Sequence, residues 1–245
     1  MALGPLEISN GVFSIIIAII FALVGLQIML VYRKRKDRIY LFMGLTWLLL
    51  GEPWWGSAFS FIVALYNNGQ GLTIGIYFLL SISLIPFTSM ILVVCTTDIL
   101  FKNKQRIIFL FFLIFEVVFA IIFIYLFLLD PNKLGVMATP VNCDYSLIVL
   151  IYILISLMIF LVLGSLISFS SFKSDNPEII LRGKFLILAI FLYVGGAILD
   201  ASVDFTAVTI LIPRLIVTTS ALCSYIGFVM PKFIKKIFLK QKTDD

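Results

Sequence analysis

The chain contains no histidine. That absence excludes His-ligated zinc or haem, Ser-His-Asp and Cys-His nucleophile pairs, and a histidine proton switch. Cysteine is scarce too. Cys95, Cys143 and Cys223 form no CxxC pair and no metal-ligand spacing. Cys143 falls in a loop and the others in apolar segments, which argues against a disulfide-stapled extracellular fold. No N-x-S/T acceptor occurs. Charge is sparse: 13% of the 245 residues are Asp, Glu, Lys or Arg, against about 25% in ordinary soluble domains. No long soluble segment is available for a kinase, nuclease or other cytosolic enzyme domain. The expectation is no catalytic residues and no metal site.

Apolar residues make up 62% of the chain, and mean hydropathy is +1.18. This is more apolar surface than one soluble core can hide. Seven segments are each long enough to cross about 30 Å of hydrocarbon at about 1.5 Å per residue. They run over 12–32, 39–66, 72–97, 107–129, 145–169, 185–203 and 207–229. The reading is an all-α, polytopic membrane protein, a single seven-transmembrane-helix bundle in contact with the lipid bilayer. Residues 230–245 form a short basic tail.

Every Lys and Arg except Lys133 and Arg214 falls on one set of alternate loops and the tail. The positive-inside rule then puts the N-terminus outside and the C-terminus in the cytoplasm. An odd span count agrees with it. The basic balance, a formal +5, is therefore a topology signal and does not imply nucleic acid. The expected location is the plasma membrane, and the first span reads as retained rather than as a cleaved signal peptide. The tail around Lys232–Lys240 suits anionic lipid, with partner docking the other use. The loop from Asp130 to Asp144 holds Pro131, Gly135 and Pro140 and is expected to be irregular. Gly71 and Gly75 are spaced for close helix approach.

A charge at bilayer depth costs about 2.5–3.5 kcal/mol on insertion scales, so each needs a reason. Glu52, in Gly51-Glu52-Pro53-Trp54-Trp55-Gly56, lies roughly 20 Å above the cytoplasmic end of span two. Asp200 lies roughly 22 Å up span six, and Arg214 roughly 10 Å below the outer edge of span seven. These levels nearly coincide. In a ring of consecutive helices, Arg214 can meet Asp200, Glu52 or both, and its planar fork suits a carboxylate. Asp204 is one turn above Asp200. Glu116, at mid-depth of span four, has no basic residue at its level. It is either a hydrogen-bonded structural acid or a proton acceptor. Pro53 and Pro86 can kink spans two and three. Tyr77, Ser81, Thr88, Tyr152, Ser156, Tyr193 and Thr218 recur at helical spacing and suit the bundle interior. Glu52, Trp54, Trp55, Asp200, Asp204 and Arg214 together outline either an outward-facing ligand pocket or a buried ion network that only fixes register.

Seven helices with this orientation and short loops resemble the heptahelical receptor and sensor architecture. That architecture includes microbial rhodopsins and the seven-helix input modules of some bacterial and archaeal kinases. The resemblance is topological. Span seven has no lysine for a retinal Schiff base, so no covalently bound retinal and no other cofactor is expected. The resemblance implies a receptor or sensor that binds a small molecule, lipid or proton from outside. With no output domain attached, it would signal through a separate cytoplasmic or membrane partner. Two alternatives stand beside it: a secondary transporter or proton-linked carrier, and a non-catalytic structural membrane subunit.

Overall fold

A computed structural model describes residues 3–202 and 206–239. Among these residues the protein is all-α apart from one small hairpin, and seven helical spans are long and apolar enough to cross a membrane. Span one is α1 (Pro5–Arg35). Span two is α2 (Ile39–Leu49) and α3 (Trp55–Tyr66), joined by a 3₁₀ turn over Glu52–Trp54. Span three is α4 (Ile74–Ile82) and α5 (Ile85–Leu100). Span four is α6 (Gln105–Leu129). After the strands β1 (Gly135–Thr139) and β2 (Asn142–Tyr145) come α7 (Leu147–Ser170), α8 (Pro177–Ser202) and α9 (Leu211–Val229). A short α10 (Lys232–Leu239) follows.

Two helices, α1 and α8, begin well before hydropathy alone predicts, because capping sets their ends, whereas α4, α7 and α9 begin two to four residues later than expected. α1 starts at Pro5 rather than Val12. Proline suits a first helical turn, and the Glu7 carboxylate turns back to accept from the Gly4 amide. Its last turn carries Arg33, Lys34 and Arg35 at the negative end of the helix dipole, before Lys36 in the left-handed region. α8 starts at Pro177 rather than Phe185, since Asn176 Oδ1 accepts the Glu178 amide at 2.9 Å. Arg182, expected in a loop, therefore lies on this helix. It pairs with Glu178 at 2.9 Å and donates to the Gly227 and Phe228 carbonyls at the end of α9. Glu178 also takes Lys235 of α10 at 2.7 Å, so α10 is fastened to span six.

The loop expected to be irregular is ordered. Asp130 caps a 3₁₀ turn over Pro131–Lys133, and the Asn132 amide holds its carboxyl below the usual carboxylate range. β1 and β2 then pair antiparallel. The hairpin forms because it can bury Leu134, Val141 and Cys143 on the bundle. Burial pushes the Cys143 thiol up to about 12, so it stays protonated. Ser60 Oγ donates to the Pro140 carbonyl at 2.6 Å and accepts the Leu72 amide at 2.8 Å. Gly71 allows this seating, because a Cβ there would lie 1.9 Å from the Pro140 oxygen. Its close approach is thus to this chain's own hairpin.

The spans do not form a ring in chain order. α1 packs between α2 and α9, α9 packs on α8, α8 on α7, and α7 directly on α5. Spans one, two, three, five, six and seven close a six-membered ring. Span four lies outside it against α5. Burial agrees with this placement. Among the residues of α6, only Glu116, Phe119 and Phe123 are buried, and the remainder offers an apolar face suited to lipid. The core centres on Phe21, Trp47, Trp54, Phe160 and Tyr193, whose ring centroids lie 5.2–6.3 Å apart.

Candidate functional site

Two polar systems are buried in the bundle, one inside the ring and one reaching from the ring to span four. The first is centred on Arg214, in the opening turn of α9, where Pro213 is tolerated because its amide needs no helical partner. Arg214 is 4% exposed. Its Nε lies 2.8 Å from Asp200 Oδ1. Its two terminal nitrogens donate to Ser14 Oγ and Asn10 Oδ1, each at 2.9 Å. The guanidinium stands 5.8 Å from the Trp54 ring, and the Trp54 indole donates to Asp200 Oδ2 at 2.9 Å. Asn10 Nδ2 reaches the Val141 carbonyl of the hairpin at 3.4 Å. Spans one, two, six and seven and the hairpin thus share one network, built around the Arg214–Asp200 ion pair.

Arg214 meets Asp200 and not Glu52. Of the two acids within its reach by depth, it takes the one on its neighbouring helix. Asp204 lies outside the described residues. Trp55 is half-buried. Asn10 and Ser14 were not among the residues singled out from sequence. The signal for them was available: an uncharged polar pair four apart on an otherwise apolar helix.

The second system holds Glu52 and Glu116. Glu52 is 0% exposed, and its Oε1 accepts the Leu84 amide at 2.6 Å. Leu84 sits at the break between α4 and α5, just before Pro86. The two interrupted helices therefore face one another, and Glu52 of one break caps the other. Its Oε2 has no hydrogen-bond partner among the described residues. Glu116 is 2% exposed; Tyr152 donates to its Oε2 at 2.6 Å, while its Oε1 lacks a partner. Ser89 of α5 also faces this carboxyl. Glu116, with Phe115 and Phe119 stacked on Tyr152, ties span four to the ring.

Beside these two acids, though lined by neither, lies a fissure of about 50 Å³, room for roughly three to five waters. Its walls come from α2, the Pro53 turn, α5, α7 and α8. They are largely apolar, with Phe160 among them, and carry the hydroxyls of Thr88, Ser89, Ser156 and Tyr193. Leu50 and Pro53, either side of Glu52, line it on one flank. Ser89, beside Glu116, lines it on another. Tyr77, Ser81, Thr88, Tyr152 and Tyr193 are buried, while Ser156 and Thr218 are half-buried. No cluster of His, Cys, Asp and Glu suited to a metal is found among the described residues.

Fold and site together define a multi-pass, seven-helix membrane bundle with a largely apolar fissure that carries a few hydroxyls. No family model, curated protein or solved structure matches the chain.

Proposed function

We propose that this protein is a receptor or sensor of the plasma membrane, oriented with its N-terminus outside and its basic C-terminal end in the cytoplasm. It binds a small molecule or lipid in the fissure and signals through a separate partner. One observation carries this reading: the fissure is bounded by the interruptions of two helices that a single side chain, Glu52, joins. A ligand shifts a conformational equilibrium only through different contacts in its two states. Interrupted helices supply such states at low cost, since their ladders are already broken at 50–54 and 83–84. The charge distribution across the loops supports the orientation.

Native mass spectrometry of protein extracted gently from its own membrane tests the binding step. The expected result is a stoichiometric bound molecule that is lost in Ser156→Phe, which fills the fissure from α7. A bare wild-type chain overturns the receptor reading.

The unpartnered oxygens of Glu52 and Glu116 favour a second reading, a proton-linked carrier. In proteoliposomes, that reading expects a pH-gradient-driven flux that Glu116→Gln reduces at least about tenfold, since glutamine keeps the shape but cannot carry the proton. Absence of proton flux from wild-type vesicles removes it.

A further inference from the structure

The hydrogen bonds around the fissure leave it unbalanced. The Thr88 hydroxyl donates to the Leu84 carbonyl at 3.1 Å, and the Tyr193 hydroxyl to the Leu50 carbonyl at 2.9 Å. The Tyr152 hydroxyl is committed to Glu116 at 2.6 Å. These protons point at the protein and are unavailable to a guest. What remains is the Ser156 hydroxyl, which has no hydrogen-bond partner among the described residues, the lone pairs of the wall hydroxyls, and the unpartnered Oε2 of Glu52 and Oε1 of Glu116 close by. A site with more acceptors than donors selects a guest that brings donors.

Charge points the same way. Among the described residues, the ion pairs are Arg38–Asp98, Arg182–Glu178, Lys235–Glu178 and Arg214–Asp200. Glu52 and Glu116 take no part in them. Glu52 lies in sequence between Leu50 and Pro53, Glu116 faces Ser89, and Leu50, Pro53 and Ser89 all line the fissure. The two acids therefore stand beside one largely apolar space. A positive guest beside them would relieve both at once. Phe160 and Tyr193, with centroids 5.2 Å apart, give the same space an aromatic wall, and ring faces attract cations. The remaining lining is aliphatic, which suits a hydrocarbon body and gives a bare metal ion few ligands.

We propose that the fissure between the Glu52 and Glu116 sides seats an organic ammonium: a small alkyl amine, or the amine end of a longer amphipathic molecule. The proposal rests on the fissure being the ligand seat and names the chemistry of its ligand. The ammonium donates to Thr88, Ser89 and Ser156, packs against Phe160 and Tyr193, and has its charge offset by one negative charge shared between the two nearby glutamates. By binding beside the Glu52–Leu84 contact, it acts on the join between the two broken helices.

The probes are n-butylamine, n-butanol and sodium ion at matched ionic strength. Each is titrated into the purified full-length protein in lipid nanodiscs at pH 7. Binding is read by calorimetry and by the rise in unfolding temperature. The expected result is that butylammonium binds at least about tenfold more tightly than butanol, as a charged donor should at a buried acceptor. Glu52→Gln and Glu116→Gln each lower that ratio toward one. Glutamine keeps the acceptors for Leu84 and Tyr152, so both variants are expected to fold, and the selectivity measured on wild type stands without them.

Equal binding of amine and alcohol overturns the ammonium seat while leaving the fissure as an apolar ligand site. Sodium stabilising the wild type as strongly as butylammonium overturns it in favour of a metal ion. Selectivity undiminished in both glutamine variants overturns the assignment of the charge to these acids. Binding of neither organic probe overturns the proposal as well; the native-mass experiment then reports separately whether the fissure holds any ligand.

Discussion

Replacing Arg214 with alanine is expected to remove about 3–5 kcal/mol of stability and to cut the folded yield sharply. The variant strands Asp200, whose side chain is 15% exposed and whose other oxygen is held by the Trp54 indole. It also takes the donors from Asn10 and Ser14. Breaking one half of a buried pair costs more than the pair contributes, because the remaining charge is left without compensation. Adding Asp200→Asn to Arg214→Ala should recover a large part of the loss, since asparagine is neutral and keeps an acceptor for Trp54. Thermal unfolding of detergent-solubilised protein, followed by size-exclusion profile, checks both. A single variant as stable as wild type would mean that Arg214 is not paired in the bilayer.

Gly44→Val is expected to be comparably damaging, for a different reason. Spans one and two cross with their backbones in contact at Gly25 and Gly44. A Cβ on Gly44 would sit 2.6 Å from the Gly25 carbonyl oxygen and 2.7 Å from the Met29 amide nitrogen. Backbone atoms cannot rotate away as a side-chain tip can, so the helices must separate. Close packing between small residues is the main attraction available to helices in lipid, where no hydrophobic force drives them together. Overpacking typically costs about 1–3 kcal/mol, and the rigid partner places this case at the upper end. Gly195→Ala is the control: nothing lies within 4 Å of a Cβ there. It should be neutral, or stabilise by up to about 1 kcal/mol through helix propensity. The two variants, expressed side by side, separate the effect of glycine at a crossing from that of glycine on an open helix face. Equal stability of the pair would show that the Gly25–Gly44 crossing is not tight.

Seven spans follow from hydropathy because each apolar run must be helical in lipid. The breaks in spans two and three follow from Pro53 and Pro86. Depth arithmetic brings Arg214 within reach of Asp200, but it also brings Glu52 within reach, and only lateral packing separates them. Lateral order is where single-sequence reading stops. Nothing in the composition of α6 says that it stands outside the ring, since an apolar helix suits lipid and core alike. Glu52 reads as a charge in need of a cation; in the fold it serves as a helix cap, and its partner Leu84 presents only a backbone amide to find. Asn10 and Ser14 carry no charge and raise no alarm at the end of an apolar run. The hairpin was hidden by its own turn residues. Pro140 and Gly135 read as breakers, while the alternation through Val141 and Cys143 is too short to register as strand.

The closed ring of six has a consequence for how the chain is built. Asn10 and Ser14 precede Arg214 by 204 and 200 residues. During synthesis the first span waits for a partner that arrives with the last. Asp200 and Arg214, on consecutive helices, can instead neutralise one another as soon as both have been made, so their charges can enter the bilayer as one cancelled unit. Span four, made midway, must stand aside for spans three and five to meet. Ring closure therefore comes after translation of span seven, and its tempo is set by docking between finished helices rather than by helix formation.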